Sequence, residues 1–541
     1  MDALDLYYHP YPRELSTNLQ SYLNGVLKPL VVVGEDNVPD TSFYIAKTGH
    51  GEKITHFLKP SYVSIAMITM NNAYTQIFKR TLLPDDECLK EYASKLLPKA
   101  VGYSAALLEY FFRGTLDVKH LTIQRDADQN LASVTMKVKN TSKLAEQAES
   151  MEAGSISLAY RYVPFGSSFP VYGLAEDIYS GISHNDPINS DFVSISATLP
   201  TSIPFNAKDI VFTLVYRGKL GNEDDAIAAR VLPLTSRIAY SKSAQCGDAS
   251  YIYTARPDGT DEALVADSSD VAYGYQWRAL PTWSMDGKMI AFNGITAANR
   301  YEIVVVDLTS DQPYPYNIKR IFGDANCNFA EPSFSPDGSK IVAHRELLQP
   351  YLNTNDVADS LVILDVNDGS WTFLPTMQNW TWTQTPIPEL PKWSPKGDSI
   401  AFAQWSWWDW IYAIIADNIW SMDLNFSTFT NLLDEPMDSR WPSWSPDGEK
   451  IVFASRRTEG LSHNIWIMDK DGQNPYKVYD CPDECSEPSF SPDGRKIVFH
   501  IAGGSLYTIN VDGTEFAALG TTGCDGTPQW SPYLYEKPKT P

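Results

Sequence analysis

Beyond about residue 236 the chain alternates short apolar runs with polar turns in a fixed order. PTWSMDGKMIAF from Pro281, PSFSPDGSKIVAH from Pro332, PKWSPKGDSIAF from Pro391, PSWSPDGEKIVF from Pro442 and PSFSPDGRKIVF from Pro488 share one plan. Each has a strand end, a tight turn and an apolar strand opening with Ile-Ala or Ile-Val. A sixth copy, PQWSP from Pro528, breaks off. The Asp-Gly pair accepts the backbone angles that a hairpin turn needs. The anchors Trp283, Phe334, Trp393, Trp444, Phe490 and Trp530 recur at the roughly forty-to-fifty-residue period of propeller blades.

A second phrase keeps the same period. It reads YIYTARPDGT from Tyr251, EIVVVDLTSD from Glu302, SLVILDVNDGS from Ser360, NIWSMDLNFS from Asn418, NIWIMDKDGQN from Asn464 and SLYTINVDGT from Ser505. Apolar and polar positions alternate, as in half-buried strands. Four strands in each of six units predict a six-bladed β-propeller. The first unit opens in mid-phrase at Ile238-Ala239-Tyr240, and the last ends just after Trp530-Ser531-Pro532. Each supplies what the other lacks, so the C-terminal strand is expected to complete the N-terminal blade and close the ring.

These phrases resemble the TolB-type propeller, a WD-repeat-like family with the consensus Trp-Ser-Pro-Asp-Gly-Lys-x-Ile-Ala-Phe. The resemblance covers about residues 236–541 and leaves residues 1–235 unassigned. It implies an envelope or extracellular protein that binds other proteins or peptides.

The N-terminal half has a different pattern. Residues 117–235 carry strand candidates at Val118–Gln124, Ser133–Lys139, Ser155–Tyr162, Phe192–Ser196, Ile210–Arg217 and Ile227–Val231, and suggest an immunoglobulin-like β-sandwich. Asp126-x-Asp128-x-Asn130 opens like a calcium loop, but Leu131 and Lys137 occupy the glycine and chelating positions, so it reads as a hairpin turn. Residues 1–116 read as a mainly helical segment, the remainder of a larger domain. Pro84-Asp85-Asp86-Glu87 suits a helix start, and Val101–Phe112 suits a buried helix stopped at Gly114. The expected architecture is therefore mainly β, with this segment and the sandwich preceding the propeller.

The 541 residues allow several cores, and a net charge of −23 argues against nucleic acid and anionic membrane surfaces. No window approaches the roughly twenty apolar residues of a membrane span. The opening MDALDLYYHP has no signal-peptide pattern, so a periplasmic or extracellular location requires an export signal outside this sequence. Five of the six cysteines fall in propeller connections: Cys246, Cys327, Cys481, Cys485 and Cys524. Cys246 with Cys524 would latch the closing blade, and Cys481 with Cys485 would close a small loop.

Candidate chemistry is sparse. Gly102-Tyr103-Ser104-Ala105-Ala106 approximates a nucleophile elbow, but it ends in alanine and follows helix-like sequence, so helix packing is the better account. His9, His50 and His56 lack metal-ligand spacing, and no metal or cofactor is expected. The stronger binding features are aromatic and acidic. Trp380 and Trp382 precede one blade, and Trp405, Trp407, Trp408 and Trp410 lie between its second and third strands. Indoles suit protein hot spots and sugar stacking, although packing inside the protein is the plainer use. Glu331, Glu389 and Glu487 read as equivalent positions before the innermost strands, with Asp525 nearby and Arg440 as the exception. They would ring a channel mouth able to take a cation or a basic peptide, or simply remain hydrated.

The reading is a non-catalytic, exported binding or scaffold protein that offers the propeller's loop face to a protein or peptide. One alternative is a glycan-active or hydrolytic enzyme, with His344, His463 and His500 following the second strands of their blades. The other is a self-associating surface structural protein.

Overall fold

The computed structural model describes residues 114–535 apart from short stretches at 145–146, 244–249, 267–274, 297, 310–316, 349–359, 375–386, 407–415, 425–427, 434–437, 458–461 and 521–523. Before residue 114 it describes five strand segments. The chain divides into two compact units, Met1–Arg113 and Gly114–Pro541.

In the first unit Val32–Val33 pairs with Pro39–Asp40, and Ile45–Gly49, Glu52–Pro60 and Leu82–Leu83 form an antiparallel three-stranded sheet. The mainly helical reading does not hold for these residues. Glu52–Pro60, with sequence EKITHFLKP, places Ile54, His56 and Leu58 two apart, which is strand periodicity, and so sets His56 on a strand. The helices expected from Pro84 and over Val101–Phe112 lie outside the described residues, as does the Gly102–Ala106 segment.

The second unit opens with a three-stranded sheet, in the order Val193–Ile203, Leu131–Asn140, Leu116–Arg125. A five-stranded sheet follows, in the order Val171–Ser180, Met151–Val163, Lys208–Leu220, Glu223–Thr235, Leu534–Tyr535. Side chains alternate in and out of one shared core, in which Val134, Met136 and Ile195 meet Ile156, Leu158, Phe212 and Leu214. The edge strand Val171–Ser180 was not legible in the sequence, because VYGLAEDIYS carries a glycine and two acids and leaves Tyr172 and Leu174 exposed. Asp126 makes a tight turn, its Oδ1 accepting from the backbone N–H of Asn130 at 2.9 Å and of Asp128 at 3.1 Å.

Residues 238–530 form six four-stranded antiparallel sheets. Five are continuous in sequence, with innermost strands Tyr275–Trp283, Cys327–Phe334, Ile387–Trp393, Ser439–Trp444 and Cys485–Phe490. In the remaining sheet Ile238–Ser243 pairs with Cys524–Trp530, in a register running from Ile238 opposite Trp530 to Ser243 opposite Cys524.

The repeated phrase explains the local structure. Ser335 Oγ donates to Asp337 Oδ1 at 2.6 Å and accepts from Lys340 N at 3.0 Å, while Gly338 takes the left-handed conformation (φ 70°). In the copy that has lysine instead of aspartate, Ser394 Oγ turns to Asp398 at 2.8 Å. The apolar strands that follow are buried on both faces, as at Ile451, Val452, Phe453 and Ala454. One face packs on each neighbouring sheet: Val452 and Ile467 meet Phe490 and Ile497, whereas Ile451 and Phe453 meet Ala401 and Ile419.

Candidate functional site: the channel wall and the loop face

Each innermost strand carries a bulge just before its proline. Register breaks lie between Ala279 and Thr282, Ala330 and Ser333, Glu389 and Lys392, Arg440 and Ser443, and Ser486 and Ser489. A sixth lies opposite Thr527, between Ala239 and Ser241. Proline cannot donate to the ladder, and an extra residue accommodates it. The residues directly before the prolines are left-handed: Leu280 (φ 53°), Glu331 (60°), Leu390 (54°), Trp441 (54°), Glu487 (56°) and Thr527 (48°).

Several of these residues stitch one sheet to the next. Glu331 Oε2 accepts from Leu390 N, Glu487 Oε2 from Thr527 N at 2.7 Å, and Thr527 Oγ1 from Leu280 N at 3.1 Å. Leu280 has no side-chain acceptor, and there Asn293 Oδ1 takes the Glu331 N–H at 3.0 Å. A second tier repeats the device: Ser333 Oγ accepts from Trp393 N at 3.0 Å and Ser489 Oγ from Trp530 N at 3.2 Å. Burial pushes the carboxyls of Glu331 and Glu487 up to about 7, against the opposing pull of those N–H groups.

The equivalence expected of Glu331, Glu389 and Glu487 therefore needs correction. Glu331 and Glu487 are bulge residues, whereas Glu389 and Arg440 stand one position earlier, on the side of the bulge nearer the loops. Glu389 is raised by burial, with Arg440 opposing. Of Asp525 only the strand backbone is described.

Toward the loops Arg440 is the centre of a polar network. Its Nε pairs with Asp417 Oδ2, and with Asp438 Oδ1 at 2.9 Å. Arg456 spans Asp438 (3.2 Å) and Glu484 (3.4 Å). His463 lies between the same two carboxylates, with Nε2 3.3 Å from Asp438 Oδ2 and Nδ1 against Glu484 Oε1. The Trp441 ring meets the imidazole edge-on, at 5.6 Å between centroids. Burial, with Asp438 and Glu389 adding to it and Arg440 opposing, pushes Asp417 up to about 7. Burial acts in the same sense on Asp438, but the bond from His463 and the charge of Arg440 hold its carboxyl below the ordinary range. Glu484 sits in a loop closed by a disulfide between Cys481 and Cys485, and that loop is pinned by Cys485 N to His463 O at 3.2 Å and Cys481 N to Asn464 Oδ1 at 2.8 Å.

This network stands at the root of the tryptophan-rich segment, because Asp417 is the strand partner of Trp405. Trp380, Trp382, Trp407, Trp408 and Trp410 lie outside the described residues, as does Cys246, and of Trp405 and Cys524 only the backbone is described. His344 and His500 lie within second strands rather than after them, and His463 directly precedes a third strand. His344 is buried and depressed to about 4 by burial and by Arg345. Among the described residues no group of three or more His, Cys, Asp or Glu is placed to hold a metal, and no helix is long and apolar enough to cross a membrane.

A known family model, the TolB beta propeller domain, matches residues 378–534. This part of the chain is TolB-like. No curated protein matches the chain. Among solved structures, TolB from Acinetobacter baumannii is 19% identical over 59% of this chain and 79% of its own, with a TM-score of 0.42. A putative TolB from Agrobacterium tumefaciens is 18% identical over 56% and 99%, with a TM-score of 0.38. An oligogalacturonate lyase from Vibrio parahaemolyticus is 14% identical over 52% and 72%, with a TM-score of 0.31.

Proposed function

We propose that this chain is an exported, non-catalytic binding or scaffold protein that offers the loop face of a closed six-bladed propeller to a protein or peptide partner. The six four-stranded sheets, and the pairing of Ile238–Ser243 with Cys524–Trp530, support the closed ring. The core shared by the three- and five-stranded sheets supports an immunoglobulin-like sandwich over 117–235, with 1–116 as a separate segment. The Cys481–Cys485 disulfide favours an oxidising compartment.

The observation that carries the reading is the charge balance at the root of the tryptophan-rich segment. Glu389, Asp417, Asp438 and Glu484 gather there around Arg440, Arg456 and His463, so four acids face two guanidiniums and one imidazole, and burial holds Asp417 and Glu389 toward their neutral forms. A partner rich in Lys or Arg would favour the charged forms of these acids, and the indoles of the tryptophan-rich segment would supply apolar area with one donor each. Selection of peptides from a random library on the intact chain tests this. Enriched peptides should be basic, and their affinity should fall about tenfold or more both in Glu484→Gln and when residues 407–410 become Gly and Ser. Peptides no more basic than the library, or binding indifferent to both changes, would reject it.

A further inference from the structure

Eight large hydrophobic side chains stand exposed among the described residues, and five of them fall within ten positions: Phe165, Phe169, Val171, Tyr172 and Leu174. They belong to the turn after Met151–Val163 and to the first half of the edge strand Val171–Ser180. From Tyr162 to Ala175 no residue is charged, in a chain of net charge −23. The strand ends its five-stranded sheet, so among the described residues no further strand pairs with its outer edge. Exposed apolar side chains and an open backbone ladder therefore coincide, and both are features of a surface that takes another strand.

The opposite edge of the same sheet shows how such a strand is ordinarily protected. Glu223–Thr235 carries Glu223, Asp224, Asp225, Arg230 and Pro233, and is partly covered by Gly114 and by Leu534–Tyr535. Val171–Ser180 is protected only in its second half. There Glu176 and Asp177 lie in a bulge opposite Ser157, with Asp177 left-handed (φ 47°). Residues 171–175 pair regularly with Tyr162 to Leu158 and have neither charge nor bulge.

The strand that this edge fits is its own copy. Paired antiparallel about Gly173, two copies place Tyr172 opposite Leu174 and Val171 opposite Ala175. Glu176 and Asp177 then stand opposite Pro170 and Phe169, so no acid faces an acid. A charged foreign strand, by contrast, finds no counter-charge between Tyr162 and Ala175. The outward face continues across the sheet, because Leu174 lines up through Ala159 and Thr213 with the exposed Val231. Phe165, Phe169 and Tyr172 are 68%, 80% and 71% exposed. At about 200 Å² each, these three rings alone offer roughly 450 Å² in each copy. With Val171 and Leu174, two copies would cover about 1,000 Å², the size at which specific interfaces begin. We propose that the chain forms a two-fold dimer by antiparallel pairing of residues 171–175, which joins the two five-stranded sheets into one.

Sedimentation velocity of the full chain from about 1 to about 100 µM tests this, with amide hydrogen exchange at both ends of that range. A dimer should form with a dissociation constant on the order of 10 µM or tighter, as suits an interface at the low end of the specific class. Amides of residues 171–175 should exchange about fivefold more slowly, or slower still, at the higher concentration. Leu174→Lys sets two ammonium groups near the axis and should weaken association about tenfold or more, with thermal unfolding showing the variant folded. Phe169→Asp, at the most exposed ring, should weaken it as well and decides the matter should Leu174→Lys not fold. Tyr476→Lys, at an exposed ring on a propeller strand, should change nothing. The proposal is overturned by a monomer throughout the range, by a dimer that the folded edge variants leave intact, or by exchange at 171–175 that ignores concentration. Replacing residues 407–410 should leave dimerisation unchanged, which separates this edge from the loop-face reading.

Discussion

Glu331 and Glu487 each place a carboxylate where an adjoining sheet presents a backbone N–H, and burial raises both from the ordinary 4.5 to about 7. A raised acid pKa means that the folded state holds protons the unfolded chain has released. The stabilisation from these groups is full below pH 4.5 and is lost as pH rises through about 7. Glutamine keeps a carbonyl for the N–H and cannot ionise. Glu331→Gln with Glu487→Gln should therefore flatten the fall in stability between about pH 5 and pH 8, by roughly 1–3 kcal/mol per site, read by urea unfolding at each pH. An undiminished slope would place the titration elsewhere. The glutamates themselves were legible in the sequence. Their roles were not, because Leu390 intrudes between Glu389 and Pro391 and shifts that residue one place along the strand, which changes its face.

The elements were legible where turn chemistry repeats. Ser-Pro-Asp-Gly places hairpins unambiguously, and the strands after it are too apolar to lie anywhere but between sheets. Elements without such a signature were missed, namely the acid-bearing edge strand Val171–Ser180 and the strand Glu52–Pro60. The polar network was invisible for another reason. Asp417, Asp438, Arg456, His463 and Glu484 come from separate strands and connections, and no spacing relates them. Turn glycines also bear on how the sheets approach one another. A Cβ on Gly472 (φ 84°) would lie 2.1 Å from Leu432 O in the preceding sheet, whereas one on Gly503 (φ 107°) would meet nothing within 4 Å. Both alanine variants incur backbone strain, so Gly503→Ala should cost about 1 kcal/mol and Gly472→Ala about 2–4 kcal/mol. Denaturant midpoints of the two variants give the comparison, and equal losses would mean that the sheets separate freely at Leu432.

At the scale of the whole second unit, the distant end of the chain is bound twice to its beginning. Cys524–Trp530 provides the inner strand of the sheet that starts at Ile238, and Leu534–Tyr535 adds to the edge strand Glu223–Thr235. Side chains reinforce the join: Ser531 Oγ accepts from Arg237 N at 2.8 Å, and the Trp530 indole donates to Ser236 Oγ at 2.9 Å. Tyr533 donates to Ala207 O at 3.2 Å across the base of the other sheets. Removing residues 524–541 should therefore destabilise much more than its own few contacts, with a loss of cooperativity in calorimetric unfolding as well as a lower midpoint. A sharp transition at nearly the original temperature would mean that the remaining sheets stand without the join.

The same join orders events in time. Arg237 and Ser531 are 294 residues apart, so on the ribosome the early strand must wait, its inner edge bare, until those 294 residues have been added. Its unpaired N–H and C=O groups are then open to any passing strand. Completion of this sheet thus waits on the emergence of Cys524–Trp530, and its hazardous interval is set by the speed of translation rather than by the stability of the finished molecule.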